Sequence, residues 1–182
     1  IDGMPSDVPL MAGVTAGDYP HLRAALPVWL SQRSSHYQSD QYVYKFSRVP
    51  SGWLSRDIMS CHGCELPYLF NHPAGLVQNY QLGLVNTVDG GKPEIGDLNG
   101  NGIDGTDGDV ADVFASMSYG QDDETVVELM MTLWTNFAKT GDPSPAHLQW
   151  PAYTEDNGSF LEIRQDTEAS VEAGVAEAMG LE

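Results

Sequence analysis

The spacing of apolar and polar residues at the start of the chain predicts two strands separated by a helix. Residues 8–14 form a short, mostly apolar run that ends at a turn signal, which is typical of a buried parallel strand. Residues 21–34 favour a helix that Pro27 would cap or kink. Residues 41–48 are rich in aromatic and β-branched side chains, which favours a second strand.

The longest predicted helix covers residues 124–139. Asp122 and Asp123 supply caps and a favourable dipole interaction at its start, and Gly141 and Pro143 mark its end. Its apolar residues form two neighbouring stripes: Val126, Met130, Leu133 and Phe137, and Val127, Met131, Trp134 and Ala138. A helix that is apolar over so wide an arc is expected to pack against a sheet, with its Met and Trp side chains in the core.

The last part of the chain predicts one more strand and a closing helix. The strand covers residues 159–164, and the helix covers the Ala- and Glu-rich residues 168–179. No internal repeat or sharp boundary interrupts residues 1–182, which are therefore expected to belong to a single domain. No apolar run approaches the ~18 residues that a membrane-spanning helix needs.

The charge balance excludes one broad class of function. Twenty-six acidic residues oppose eight Lys and Arg, which gives a formal net charge of -18. Such a surface repels nucleic acid and anionic membranes, because phosphate binding needs clustered Lys and Arg. A nucleic-acid-binding function is therefore not expected.

Two short segments carry the most specific information. The first is Ser-Cys-His-Gly-Cys-Glu-Leu-Pro-Tyr-Leu-Phe at residues 60–70. The second is Leu-Trp-Thr-Asn-Phe-Ala-Lys-Thr-Gly-Asp-Pro at residues 133–143, followed by Trp-Pro-Ala-Tyr at residues 150–153. In this order they resemble the type B carboxylesterases, the cholinesterase-like branch of the α/β-hydrolases, in which the first segment carries the catalytic histidine.

The resemblance implies both a fold and a reaction. The fold would be the C-terminal part of an α/β-hydrolase, with a mostly parallel sheet flanked by helices. The reaction would be hydrolysis of a small-molecule or polymeric carboxylic ester by a Ser-His-Asp/Glu triad, which needs no cofactor. No Gly-x-Ser-x-Gly nucleophile elbow occurs in these 182 residues. The nucleophilic serine is therefore expected on an upstream part of the polypeptide.

The resemblance assigns the general base to His62, the histidine of the first segment. His21, His36, His72 and His147 lack such a motif and are expected to be surface or structural residues. In the family, the acid follows an apolar-apolar-Gly-Val strand end by five residues from its glycine. Here that register gives Asp18, where the family usually has glutamate; the alternative is that Asp18 is only a turn residue.

The interval between Asp18 and His62 departs from the family. It is 44 positions, far fewer than the family usually has, which implies either a trimmed cap or residues missing between about 18 and 40. A trimmed cap would open the acyl pocket to larger or polymeric esters.

Cys61 and Cys64 flank the histidine as Cys-x-x-Cys. One cysteine pair is too few ligands for a zinc site, and a thioredoxin-like pair would need its own βαβ context, so a structural disulfide is expected. It would join Cys61 to Cys64, or join Cys61 to a cysteine beside the upstream serine, as in the tannase and feruloyl-esterase relatives.

An acidic, glycine-rich loop at residues 94–112 predicts a structural calcium ion. Oxygen-bearing residues at relative positions one, three and five, then a glycine and an apolar residue, reproduce the first half of a calcium loop. The match weakens at position twelve, which is Gly108. The expected ligands are Asp97, Asn99, Asn101, Ile103 through its carbonyl, Asp107 and Asp109. The alternative is a solvated acidic loop that binds no ion.

Two non-enzymatic functions stay open at this point. One is a cholinesterase-like binding or adhesion protein that has lost the serine, and the other is a calcium-stabilised binding module built around residues 97–109. The cysteines and the acidic surface favour a secreted or periplasmic protein.

If calcium orders the acidic loop, chelation should lower the melting temperature of the protein without a matching loss of activity below that temperature. A thermal unfolding scan with and without chelator measures this. A melting temperature that chelation leaves unchanged would remove the calcium site.

Overall fold

A sheet of four strands organises the residues that the computed structural model describes, which are 6–49, 60, 62–71, 120–164 and 169–180. The strand order is β1 (Leu10–Thr15), β2 (Gln41–Phe46), β3 (Phe160–Ile163) and β4 (Ala169–Glu172). The first three strands are parallel, and β4 is antiparallel to β3. The expectation of a mostly parallel sheet flanked by helices is confirmed.

The first βαβ unit matches the sequence expectation closely. Helix α1 (Pro20–Ser34) connects β1 to β2, and it contains Pro27 without a break. The strands pair in register from Leu10 with Gln41 to Thr15 with Phe46. A single helix therefore fills the short interval that precedes β2.

Gly13 permits the close approach of β1 and β2. A Cβ atom at this position would lie 2.4 Å from the ring of Tyr44, its partner on β2. Gly13 is also the residue from which the family register locates Asp18. It has a packing role of its own, since a larger residue would displace the Tyr44 ring.

The sheet has an apolar core on each face. On one face, α3 (Gln121–Thr140) buries Val126, Met130 and Leu133 against side chains of β2 and β3. On the other face, α1 and the short helix α4 (Val175–Ala178) pack over Val43 and Phe160. Side chains alternate along β2 between the two cores, as the pleat requires. Within the described ranges, no helix is both long and apolar enough to cross a bilayer.

Helix α3 has the expected boundaries, shifted by a few residues. Gly141 ends it in the left-handed conformation, with φ of 79°. Trp134 packs edge-on against Tyr44, with ring centroids 5.0 Å apart. The expectation that the Met and Trp side chains of this helix lie in the core is wrong for Met131, which is 43% exposed. Met131 follows the fully buried Met130, and each residue turns the helix by about 100°, so its side chain lies away from the buried face.

The predicted helix over residues 168–179 is wrong. Residues 169–172 instead form β4, which pairs with β3 through contacts such as Val171 opposite Leu161. Only Val175–Ala178 is helical, after Gly174 at φ of 81°. The left-handed glycine interrupts any continuous helix, and pairing with the exposed edge of β3 outweighs the helix propensity of Ala and Glu.

A buried charged cluster joins the sheet to the helices on the side of α3. Arg48, two residues beyond β2, donates from Nε and from a terminal nitrogen to Oδ1 of Asp123, at 2.9 and 2.8 Å. The hydroxyl of Tyr68 in α2 (Leu66–Leu69) donates to the same oxygen at 2.8 Å. All three residues are fully buried. Buried charges of this kind are tolerated when they are paired and hydrogen-bonded, as here.

Candidate active site

The structure brings together the two side chains that the sequence singled out for catalysis. Asp18 lies three residues past the end of β1, and His62 lies in the turn before α2. His62 Nδ1 is 2.5 Å from Asp18 Oδ1. An ionised carboxylate can only accept, so Nδ1 carries the proton, and Nε2 is left as the basic nitrogen of the neutral ring.

Asp18 is held by the backbone at the end of β1. Its Oδ2 accepts the N–H of Thr15 at 2.8 Å, and its own N–H donates to the Thr15 carbonyl at 3.1 Å. The residue is only 8% exposed. One carboxylate oxygen is therefore fixed by the strand end, and the other faces the imidazole.

His62 is accessible, in contrast to its partner. Its side chain is 63% exposed. Gly63 follows in the left-handed region at φ of 76°, which lets the chain turn sharply into α2. The Gly17 N–H donates to the Ser60 carbonyl at 2.7 Å, which ties the loop of the acid to the segment of the histidine. The ring is therefore positioned on one side and open to a reactant on the other.

Tyr19 borders the histidine, which the sequence reasoning did not anticipate. The ring centroid of Tyr19 lies 6.4 Å from that of His62. The ring of His21 stacks on Tyr19, with a centroid distance of 5.6 Å. The only sequence signal was its place next to Asp18. Among the other histidines, His21, His36 and His147 are exposed, and His72 lies outside the described residues.

Glu65 is a second carboxyl near the pair, in a different environment. Burial raises the pKa of Glu65, and the charge of Asp18 adds to this, although its own backbone N–H and His62 act in the opposite direction. Its Oε2 is buried without a hydrogen-bond partner among the described residues. Burial, together with the charges of Glu65 and Asp18, also raises the pKa of Tyr44.

The candidate metal ligands lie outside the described residues, so the structure does not bear on them. These are Asp97, Asn99, Asn101, Ile103, Asp107 and Asp109; Cys61 also lies outside. Across the ranges that are described, no group of three or more His, Cys, Asp or Glu is placed to hold a metal ion. A cavity of about 590 Å³ lies beside α3, and its lining includes neither His62 nor Asp18.

Comparison with known proteins shows that part of the chain is similar to one family. Residues 109–179 match the model of the carboxylesterase family. The matched residues include the second sequence motif but neither His62 nor Asp18, so the match leaves the roles of those two residues to be argued from geometry.

Individual proteins are similar to this chain over short stretches or in part of their structure. The bile salt-activated lipase of Rattus norvegicus is 43% identical over 53 residues, covering 27% of this chain and 9% of that protein. The human enzyme of the same name is 47% identical over 51 residues, covering 25% and 6%. A thermophilic PNB esterase superposes with a TM-score of 0.49 and 19% identity, over 87% of this chain and 26% of the esterase. The chain thus matches under a tenth of the length of these lipases.

Substitution of Glu65 should change stability with a defined pH dependence. Its folded-state pKa is raised, so Glu65 favours folding while protonated and loses that contribution as pH rises through the folded-state value. Glu65→Gln should therefore increase the free energy of unfolding relative to the wild type at about pH 8, and the gain should fade toward about pH 4. Urea unfolding over this range measures the difference.

Glu162 provides a matched control of opposite sign. Burial opposes its ionisation, but the Ser47 hydroxyl and Lys45 outweigh burial and lower the pKa of Glu162. Glu162→Gln should therefore decrease the free energy of unfolding at about pH 8, with the loss fading at acid pH. The same trend in both variants would contradict the buried environment assigned to Glu65.

Proposed function

We propose that this chain supplies the general base and the orienting acid of a carboxylic-ester hydrolase whose nucleophilic serine lies elsewhere in a longer polypeptide. The 2.5 Å contact between His62 Nδ1 and Asp18 Oδ1 carries the proposal. A buried carboxylate bonded to Nδ1 of an exposed imidazole is the arrangement by which serine hydrolases orient their base. The match of residues 109–179 to the carboxylesterase family model supports the same chemistry.

In the proposed mechanism, His62 transfers one proton in each half of the reaction. Its Nε2 accepts the proton of the serine hydroxyl as the serine oxygen attacks the acyl carbon, and then gives that proton to the departing alcohol. A water molecule repeats the sequence on the acyl-enzyme, which releases the acid and the free serine. Asp18 remains ionised throughout and stabilises the imidazolium that forms at each step.

The environment of Asp18 suits that role. Its burial excludes water, which strengthens its interaction with an imidazolium, and the Thr15 N–H keeps its second oxygen satisfied. The backbone donors for the oxyanion would come from outside this chain. The substrate is proposed only as a carboxylic ester, since the relatives named as lipases match the chain over about a third of its length or less.

A disulfide between Cys61 and Cys64 is part of the proposal. Cys64 is fully buried and is not a free thiol, and Cys61 is the only other cysteine in the sequence. Such a bond would brace the turn that carries His62, and it favours an oxidising, secreted or periplasmic setting.

Thiol alkylation without reductant should leave the intact mass unchanged; two added alkyl groups would exclude the bond. The structural calcium ion stays a proposal from the sequence pattern alone.

Substitution of the pair should abolish ester hydrolysis by the full polypeptide. Asp18→Asn keeps the shape of the side chain but favours the wrong tautomer of His62, so kcat should fall by about 10⁴-fold. His62→Ala should lower kcat at least as much, because the base itself is removed. Steady-state kinetics on a p-nitrophenyl ester measures both.

His21→Ala is the matched control, since His21 stacks on Tyr19 near the same site and has no part in the proposed proton transfers. Its kcat should stay within about threefold of the wild type. Substantial activity in a folded His62→Ala protein would remove His62 from the mechanism.

A further inference from the structure

The carboxylate of Asp123 joins three separate elements at one buried point. Asp123 lies in the first turn of α3, where its Oδ2 also accepts the N–H of Gly120 at 2.9 Å. Its Oδ1 accepts hydrogen bonds from Nε and one terminal nitrogen of Arg48, which lies just beyond β2. The same oxygen accepts a hydrogen bond from the hydroxyl of Tyr68 in α2. The position of each element relative to the others is therefore set by the same side chain.

Tyr68 connects this point to the candidate base. His62 begins a tight turn that runs directly into α2, with the Leu66 N–H bonded to the Gly63 carbonyl at 3.2 Å and the Leu69 N–H to the Glu65 carbonyl at 3.0 Å. A helix of four residues has no stability of its own, so tertiary contacts decide where it lies. The hydroxyl of Tyr68 supplies such a contact, six residues from His62.

Asp18 has a different support. It is held by Thr15 at the end of β1, and β1 is paired with β2 along its whole length. The distance between His62 and Asp18 therefore depends on the Gly17–Ser60 hydrogen bond before the histidine and on how α2 is placed against the sheet after it. Arg48 and Asp123 provide that placement, because Arg48 leaves β2 directly and Asp123 receives both Arg48 and Tyr68.

The cluster is stiff for an electrostatic reason. A buried guanidinium or carboxylate that loses its partner has a large desolvation penalty, so small displacements of α2 or α3 that lengthen these bonds are opposed. The position of His62 therefore depends on the hydrogen bonds of Asp123 with Arg48 and Tyr68, although His62 takes part in neither. Misplacement of a catalytic group by a fraction of an ångström to an ångström is enough to slow a reaction strongly.

We propose that Asp123, through Tyr68 and Arg48, is a positioning residue that holds His62 in register with Asp18. The inference rests on the proposed function for its effect on turnover, but the geometry of the His62–Asp18 pair can be read without turnover. The positioning role differs from a purely structural one, because it requires the geometry of the His62–Asp18 contact to change when the Tyr68 hydroxyl is removed.

Tyr68→Phe tests this with the smallest change. It keeps the buried ring and the Arg48–Asp123 pair and removes only one hydroxyl. Tyr153→Phe is the matched control, since Tyr153 is also buried but lies in the core on the opposite face of the sheet. The two readouts are kcat and KM for a p-nitrophenyl ester, and the downfield proton resonance of the His62 Nδ1–H, assigned by its loss in His62→Ala.

The proposal expects Tyr68→Phe to shift or broaden the Nδ1–H resonance and to lower kcat by about tenfold, with KM changed by less than about twofold. Tyr153→Phe should leave the resonance and kcat unchanged. A Tyr68→Phe protein with the wild-type resonance and kcat overturns the proposal, as does a folded wild-type protein without that resonance. A wild type that hydrolyses no ester but whose resonance responds to Tyr68→Phe supports the positioning role and refutes the proposed function instead.

Discussion

The buried carboxylate of Asp123 cannot stay charged without partners, and meeting that requirement fixes how three parts of the chain come together. Three residues donate hydrogen bonds to this carboxylate: Arg48 beyond β2, Tyr68 in the helix after the histidine, and Gly120 at the N-terminus of α3. Replacing such a pair with apolar residues can be neutral, whereas removing one partner alone typically costs about 3–5 kcal/mol. The cluster thus specifies an arrangement more than it adds net stability.

That arrangement places an exposed imidazole over a buried carboxylate at the end of β1. Two carboxyl groups lie near His62, and their surroundings differ. Asp18 accepts hydrogen bonds from the Thr15 N–H and from the imidazole, so its charge is compensated. Glu65 is buried, one of its oxygens has no partner among the described residues, and its pKa is raised. The proposed role of orienting the imidazolium therefore falls to Asp18, whose Oδ1 contacts the ring.

Sequence reasoning succeeded where local pattern and motif were decisive. The strand–helix–strand order before Phe46 follows from apolar runs and a β-rich segment, and helix α3 follows from its caps and periodicity. The proximity of His62 and Asp18 came from a family register, not from spacing alone. The sequence prediction failed for residues 169–172, because pairing with the edge of β3 determines their structure. Gly174, which interrupts the predicted helix, was the sequence signal against it.

Long-range partners were beyond the sequence. Asp123 could be recognised as a helix cap, but its links to Arg48 and Tyr68, 75 and 55 residues away, are products of tertiary folding. The exposure of Met131 has the same origin, since periodicity gives the face of a helix but not the width of the surface that covers it.

The most direct test of the account is labelling of the full polypeptide with a fluorophosphonate, read by intact mass in the wild type and in His62→Ala. We expect a single adduct on a serine outside these 182 residues, formed rapidly in the wild type and lost or greatly slowed in His62→Ala, because only an activated serine reacts. No adduct on the folded wild-type protein, or equal labelling of both proteins, would contradict the assignment of His62 as the base.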